Sequence, residues 1–231
     1  MASPSITWLG HASFRVDSAD GKRIYVDPWL GNPKCPDGEK EPERIDVIAV
    51  THGHTDHVGE TVELAKRFSP RVIALVELRR WLAEQGVAAE DMTDAPNKGG
   101  TVEVDGIKFT LTNAFHSSSD GDGRYLGEAA GIVLELENGT KLYFAGDTCV
   151  FGDMQLIGRI YSPDIALLPI GGHFTMDPRE AAVALELLGV RRCIPCHYGT
   201  FPLLRGTPDE LRRLAPGVEV MELQPGETLE L

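Results

Sequence analysis

Residues 46–57 read Asp-Val-Ile-Ala-Val-Thr-His-Gly-His-Thr-Asp-His, a short apolar run that stops at three histidines and an aspartate within six residues. Residues 46–50 are rich in β-branched side chains and have the length of a fully buried strand. In the extended backbone continuing from that strand, residues two apart share a face, so His52 and His54 can present their rings to one ion. A turn at Thr55 then offers Asp56 and His57 to a second position. Imidazole with carboxylate is a donor set that suits zinc, iron or manganese. Structural histidines are mostly solitary, so the cluster is read as a metal site.

Three further candidates fall where predicted strands end. His116 follows residues 110–115, Asp147 follows residues 142–146, and His197 follows residues 192–196. Loops along one edge of a scaffold are where sites assemble, which gives the three a common destination. Gly146, just before Asp147, is read as a small residue where the backbone passes close to the ions.

The rest of the chain alternates β-branched runs with helical patterns. Residues 6–16 and 22–27 are predicted as a hairpin turning at Ala19-Asp20-Gly21, and residues 101–112 and 130–144 as hairpins turning at Asp105-Gly106 and Asn138-Gly139. Residues 59–68 and 77–85 read as helices flanking a strand over 71–76. Residues 164–169 and 192–196 read as strands, with a closing strand over 218–223. Asp177 is an N-cap with Pro178 at the first helical position and Glu180 three residues on, and Thr207-Pro208-Asp209-Glu210 opens the last helix by the same device. No linker or low-complexity stretch interrupts the two halves, so residues 1–231 are read as a single domain. Two packed sheets with helices outside is the layering this order favours.

The formal net charge of −13 argues against a nucleic-acid or anionic-membrane binder, because phosphate contacts need clustered Lys and Arg. Arg79-Arg80 and Arg191-Arg192 are read as solvated edges. No segment approaches the roughly 20 apolar residues of a membrane span, and no signal-peptide pattern opens the chain, so a cytoplasmic protein is expected. Cys193-Ile-Pro-Cys196 has redox or zinc-site spacing, but on a strand residues three apart face opposite ways, so these two, with Cys35 and Cys149, are read as structural thiols.

The chain resembles the metallo-β-lactamase superfamily through His52-Gly-His-Thr-Asp-His57. It is more closely similar to the UPF0173 group of metal-dependent hydrolases and its ascorbate-6-phosphate lactonase-like branch. The closer likeness rests on Trp8-Leu-Gly-His11, Asp27-Pro28, Thr51 to His57, Ala145 to Thr148, Leu168 to Gly172, Phe174 to Met176, and Cys196 to Tyr198. The resemblance implies an α/β fold, a four-layer αββα sandwich, with two divalent ions, zinc or manganese and alternatively iron. One ion would sit on His52, His54 and His116, the other on Asp56, His57 and His197, with Asp147 bridging. The implied activity is hydrolysis of an ester, lactone or phosphodiester in a small molecule by a hydroxide bridging the ions. Two divalent ions outweigh the charges of Asp56 and Asp147, so an anionic or polarised substrate is expected. Asp56 would orient the hydroxide or shuttle its proton. His11 and His173 are candidates to protonate a leaving group, bind a substrate anion, or orient other residues. Residues 117–125 read as a mobile, solvated loop beside His116, with Arg124 and Tyr125 as substrate contacts in the alternative. Competing readings are a nuclease of the same superfamily, a metal- or ligand-binding protein without turnover, and an oxidative iron enzyme. Homo-oligomerisation stays open.

Overall fold

Val47, Ala49 and Ile73 pack to one side of their sheet while Ile48, Val72 and Ala74 pack to the other, as the two-residue period of a strand requires. The same alternation recurs in the second half, where Ile165, Leu167 and Ile194 oppose Ala166, Leu168 and Cys193. Strands apolar on both faces need cover on both faces, and the chain supplies it. In the computed structural model, residues 3–87 and 95–231 are described. They form two sheets face to face, with a helical layer on each outer side.

The first sheet contains β1 (Ser5–Trp8), β2 (Phe14–Asp17), β3 (Arg23–Val26), β4 (Val47–Ala49), β5 (Arg71–Ile73) and the closing β13 (Thr228–Glu230). Its order is β13-β1-β2-β3-β4-β5. The second contains β6 (Thr101–Val104), β7 (Ile107–Asn113), β8 (Ala130–Glu135), β9 (Lys141–Phe144), β10 (Ile165–Pro169), β11 (Arg192–Cys196) and β12 (Glu219–Val220), in the order β12-β11-β10-β9-β8-β7-β6. Helices α1 (Thr55–Val58), α2 (Thr61–Phe68) and α3 (Val76–Glu84) supply Val58, Leu64, Ala65, Leu78 and Leu82 to the outer core of the first sheet. Helices α4 (Met154–Tyr161), α5 (Pro178–Leu188) and α6 (Pro208–Leu214) cover the second. This is the expected αββα sandwich.

Strand direction decides where the site forms. β3, β4 and β5 run parallel, and β1, antiparallel to β2, points the same way. In the second sheet β9, β10 and β11 run parallel, and β7, two antiparallel steps from β9, shares their direction. His11, Asp27, His52, His116, Asp147 and His197 therefore each follow the carboxyl end of a strand pointing in its sheet's common direction, the edge where α/β sheets place their ligands.

The helix caps form as the sequence indicates. The Asp177 carboxylate accepts from the backbone N–H of Arg179 (2.9 Å) and Glu180 (3.0 Å), and the Thr207 hydroxyl accepts from Glu210 N–H (3.2 Å). Several boundaries differ from expectation. The run over 6–16 is not one strand: Gly10 (φ 89°) and His11 (φ 51°) turn left-handed and split it into β1 and β2. The closing strand over 218–223 shrinks to Glu219–Val220, and the strand that completes the first sheet is β13, paired to β1. Helix α4 is a further element beyond the predicted ones. Arg79 is buried, not solvated, and donates to the Val72 carbonyl at 2.8 Å. Cys193 and Cys196 occupy different cores, as strand alternation requires. Burial pushes Cys193 up to about 12 and Cys196 well above the usual thiol range, so neither offers a ready thiolate.

Gly158 lets α4 lie against the end of α5, where an added Cβ would stand 2.1 Å from the Leu188 carbonyl oxygen. Gly158→Ala is expected to destabilise the protein by about 2 kcal/mol, because backbone overpacking outweighs the roughly 1 kcal/mol gained in helix propensity. Chemical denaturation checks this, and an unchanged or raised stability would contradict the close packing.

Candidate metal centre

His52 and His54 leave β4 in extended backbone, and His54 is the N-cap of α1, so the first turn of that helix carries Asp56 and His57. His52 Nε2 lies 3.0 Å from His54 Nδ1, and His116 Nε2 lies 3.3 Å from the same His54 nitrogen. His57 Nε2 is 3.3 Å from Asp147 Oδ1, while Asp147 Oδ2 is 3.2 Å from His197 Nε2 and 3.6 Å from His116 Nε2. His197 Nε2 is 3.9 Å from Asp56 Oδ2. Asp147 thus touches both sets of histidines.

Among the described residues, three groups of donor atoms lie within 4.8 Å of one another: His52, His54 and His116; His52, His57 and Asp147; and His11, Asp56, His57 and His197. Four ligands about 2.1 Å from a tetrahedral ion are separated by about 3.4 Å, close to the spacings here. Buried His57 Nε2, Asp147 Oδ1 and both ring nitrogens of His197 lack a hydrogen-bond partner. Buried polar atoms are rarely left so, and donors turned toward one another suit a cation between them. The residues fit a pair of divalent ions.

A support layer orients these rings. Asp27, left-handed at φ 47°, follows β3 and is buried. Its Oδ2 accepts from His57 Nδ1–H at 2.7 Å and from the Thr51 hydroxyl at 2.7 Å, while Oδ1 accepts from Thr51 N–H at 2.8 Å. Since the Thr51 hydroxyl proton goes to Asp27, its oxygen accepts from His52 Nδ1–H at 3.0 Å. One carboxylate therefore sets the tautomer of two histidines, directly for His57 and through Thr51 for His52, leaving each Nε2 lone pair for a metal. Sequence reading assigned Asp27 and Thr51 no role, although Asp27 obeys the strand-end rule that singled out Asp147. Gly146 earns its place differently from expectation: a Cβ there would meet the Ala130 carbonyl (2.9 Å) and Thr51 Cβ (3.0 Å), so the close approach is to protein.

His11 joins the centre. Its Nε2–H donates to Asp56 Oδ2 at 3.1 Å, and Nδ1 pairs with the Thr200 hydroxyl at 3.0 Å. Its carbonyl accepts from His197 N–H (2.9 Å) and Trp8 Nε1–H (3.0 Å), tying its left-handed turn to that of His197. His173 is exposed beside a different cavity, with Gly171, Asp177 and Arg205, and its ring stands edge-on to Phe174. The loop 117–125 is tied down: Ser118 Oγ accepts from Gly53 N–H (3.0 Å), Asp120 accepts from Trp81 Nε1–H (3.2 Å), and Arg124 pairs with Glu84.

Electrostatics separate the groups. Burial, then repulsion from His57, holds His52 well below the usual histidine range, and burial lowers His54 and His116. Burial pushes His11 down to about 4 despite its bond to Asp56. Burial disfavours charge on His57, but the Asp147 and Asp27 carboxylates outweigh it and raise its pKa well above normal. Asp147 is likewise opposed by burial and held well below the carboxylate range by His197 and His57. Burial also opposes ionisation of Asp56, which the His11 hydrogen bond and His57 nevertheless keep ionised. Above the centre opens a cavity of about 430 Å³ whose lining includes Trp29, Phe174 and Phe201 with His54, His116 and Ser117.

Residues 22–198 match the family profile described as the beta-lactamase superfamily domain. The chain is 49% identical over 227 residues to a UPF0173 metal-dependent hydrolase of Koribacter versatilis, covering 96% of each protein. It is 49% identical over 236 residues to one from Herpetosiphon aurantiacus, covering 98% of each. Among solved structures, a metallo hydrolase from the hyperthermophilic archaeon Ignicoccus hospitalis superposes with a TM-score of 0.87 at 34% identity, over 99% of this chain and 98% of that one.

Proposed function

The chain belongs to the UPF0173 metal-dependent hydrolases of the metallo-β-lactamase superfamily, and we propose that it is a binuclear enzyme cleaving an ester, lactone or phosphodiester bond in a small molecule. The observation that carries this reading is Asp147, a buried carboxylate within 3.6 Å of His57, His116 and His197 at once. His52, His54 and His116 would hold one ion, Asp56, His57 and His197 the other, with Asp147 shared. Divalent ions held there would make a water nucleophilic at neutral pH and would polarise the bond under attack.

The chain's own residues set the geometry. Asp56, kept ionised, orients an attacking water by accepting its hydrogen bond. His11 is neutral at physiological pH and its Nε2–H is committed to Asp56, which makes it a positioning residue for that carboxylate and not a proton donor to a leaving group. His173 acts through its neighbour, placing Phe174 at the cavity. Residues 1–231 work as one hydrolase domain, and the lactonase-like branch keeps a lactone among the candidate bonds. A nuclease finds no support in the cavity, whose lining includes neither Lys nor Arg, and no helix among the described residues is long and apolar enough to cross a membrane.

The test is elemental analysis of protein purified without chelator, joined to hydrolysis of p-nitrophenyl acetate, γ-butyrolactone and bis(p-nitrophenyl) phosphate. About two equivalents of zinc or manganese are expected, with turnover of at least one substrate that is lost on chelation and restored by metal. Bound metal without turnover of any substrate would favour a binding protein, iron with a visible absorption band would favour oxidative chemistry, and turnover indifferent to chelation would overturn the mechanism.

A further inference from the structure

The cavity over the metal centre has two kinds of wall. Its floor consists of the proposed ligands, and the remainder is dominated by Trp29, Phe174 and Phe201. No Lys or Arg lines it, and its only carboxylates are Asp56 and Asp147, both assigned to the ions. Lys34 and Arg124 are both engaged elsewhere. Lys34 donates to the Tyr198 carbonyl at 3.2 Å and stands over the Trp8 and Tyr198 rings, and Arg124 pairs with Glu84.

The aromatic wall is held in place. Phe174 is 50% exposed, an apolar ring kept half in water. Gly172 (φ 71°) and His173 (φ 62°) are both left-handed, and Phe174 N–H donates to the Gly172 carbonyl at 2.7 Å. The same loop is anchored beside Asp147, since Met176 N–H donates to the Thr148 carbonyl at 3.1 Å. A left-handed non-glycine residue persists only where its surroundings hold it, and such strain gathers at ligand clamps. On the same wall Trp29 and Phe201 lie tilted at 31° with centroids 6.0 Å apart, and His11 packs in T-shaped contact with both rings. Trp29 is itself fixed by Asp27 and Ser13, whose oxygens accept its backbone N–H at 2.8 and 3.1 Å.

We propose that this cavity binds the uncharged, apolar acyl part of a carboxylic ester, open or cyclic, whose carbonyl is presented to the metal centre. The proposal rests on the hydrolase reading and narrows it to one substrate class. A volume of about 430 Å³ suits a small molecule. Aromatic rings recognise a hydrocarbon body, while an anionic tail reaching along the aromatic wall, away from the ions, would meet neither Lys nor Arg among the lining residues. Long-range attraction does not favour anions either, because the formal charge of −13 stays well below zero after two divalent ions bind. In the reaction, water oxygen bonds to the carbonyl carbon and the carbon–alkoxy bond breaks. One proton of the water leaves with the alcohol, and the other is released as the acid ionises.

The test uses the zinc- or manganese-loaded protein with the p-nitrophenyl esters of acetate and hexanoate and the p-nitrophenyl monoester of adipate. From acetate to hexanoate, kcat/KM should rise about 10- to 100-fold, and the terminal carboxylate of the adipate ester should cost about 10-fold or more. Phe174→Ala should cut the hexanoate-to-acetate ratio about 5-fold or more, and Phe174→Arg should shift preference toward the adipate ester. A flat chain-length series, or an adipate ester as good as hexanoate in the wild type, overturns the proposal. Turnover of bis(p-nitrophenyl) phosphate with none of the esters overturns the proposal and leaves the hydrolase reading standing. Should no substrate of any class turn over, the hydrolase reading fails by itself, and binding of uncharged N-phenyl-1-naphthylamine to metal-free protein decides the cavity. Fluorescence enhancement weakened about 5-fold or more by Phe174→Ala or Phe201→Ala upholds the apolar site, and no enhancement, or one indifferent to both substitutions, refutes it.

Discussion

Protein carrying Asp147→Ala is expected to retain at most one equivalent of metal and to lose about 1,000-fold or more in kcat/KM, even with excess metal present. Asp147 is a buried carboxylate within 3.6 Å of histidines from both sets. Its loss removes a ligand from each proposed ion and also the negative charge that faces both of them. Without it the interior would hold two divalent ions against a single ligating carboxylate, Asp56, a costly imbalance at low dielectric. Asp147→Asn separates the causes: it keeps the shape while removing the charge, so it should fold with near wild-type stability and still fail to hold the second ion. Elemental analysis beside kinetics on both variants is the measurement. Two retained equivalents in the alanine variant would exclude a shared carboxylate.

Asp27→Asn is expected to weaken binding about 10- to 100-fold at each ion, although Asp27 is proposed as a ligand of neither. The argument follows the protons. In the wild type, Oδ2 accepts from both His57 Nδ1–H and the Thr51 hydroxyl, which in turn accepts from His52 Nδ1–H. An amide nitrogen in that position donates, so His57 must accept at Nδ1 and carry its proton on Nε2, facing the metal. The Thr51 hydroxyl then turns its proton toward His52, with the same result there. Rotating the amide by 180° sets its NH₂ against the Thr51 N–H, now bonded to Oδ1 at 2.8 Å, so no rotamer escapes. Asp27→Ala would strand the buried donors and cost about 3–5 kcal/mol of stability. Competition with a chromogenic chelator gives both affinities, and Thr51→Val should weaken chiefly the ion on His52. Wild-type affinity in Asp27→Asn would sink the tautomer argument.

What was legible in the sequence had local causes. His52, His54, Asp56 and His57 lie in one stretch, and strand periodicity alone puts His116, Asp147 and His197 at strand ends. The layers followed because Ile48, Ala166 and Cys193 alternate with neighbours that face the other way. What stayed hidden depends on distant contacts. The split at Gly10-His11 is held by the bond from His197 N–H to the His11 carbonyl, and β13 exists only through its pairing with β1. Asp27 resembles any strand-end aspartate until Thr51 and His57 arrive beside it. Phe174 resembles a misplaced core residue until the loop carries it to the cavity.

The order in which the ligands are spaced along the chain, with β13 pairing to the distant β1, has a consequence for biosynthesis. A ribosome delivers His52, His54 and His57 long before Asp147 and His197, so an early histidine cluster is released without the carboxylate that joins the two sets. Unfolded imidazoles of that kind bind divalent ions loosely and in order of intrinsic affinity, which favours copper over zinc or manganese. The outermost pairing of β1 waits for Thr228–Glu230, more than 200 residues later in the sequence. The selective site thus comes into being only once β9 and β11 have brought Asp147 and His197 to the early cluster, and its occupant is chosen by a fold that already holds both sheets.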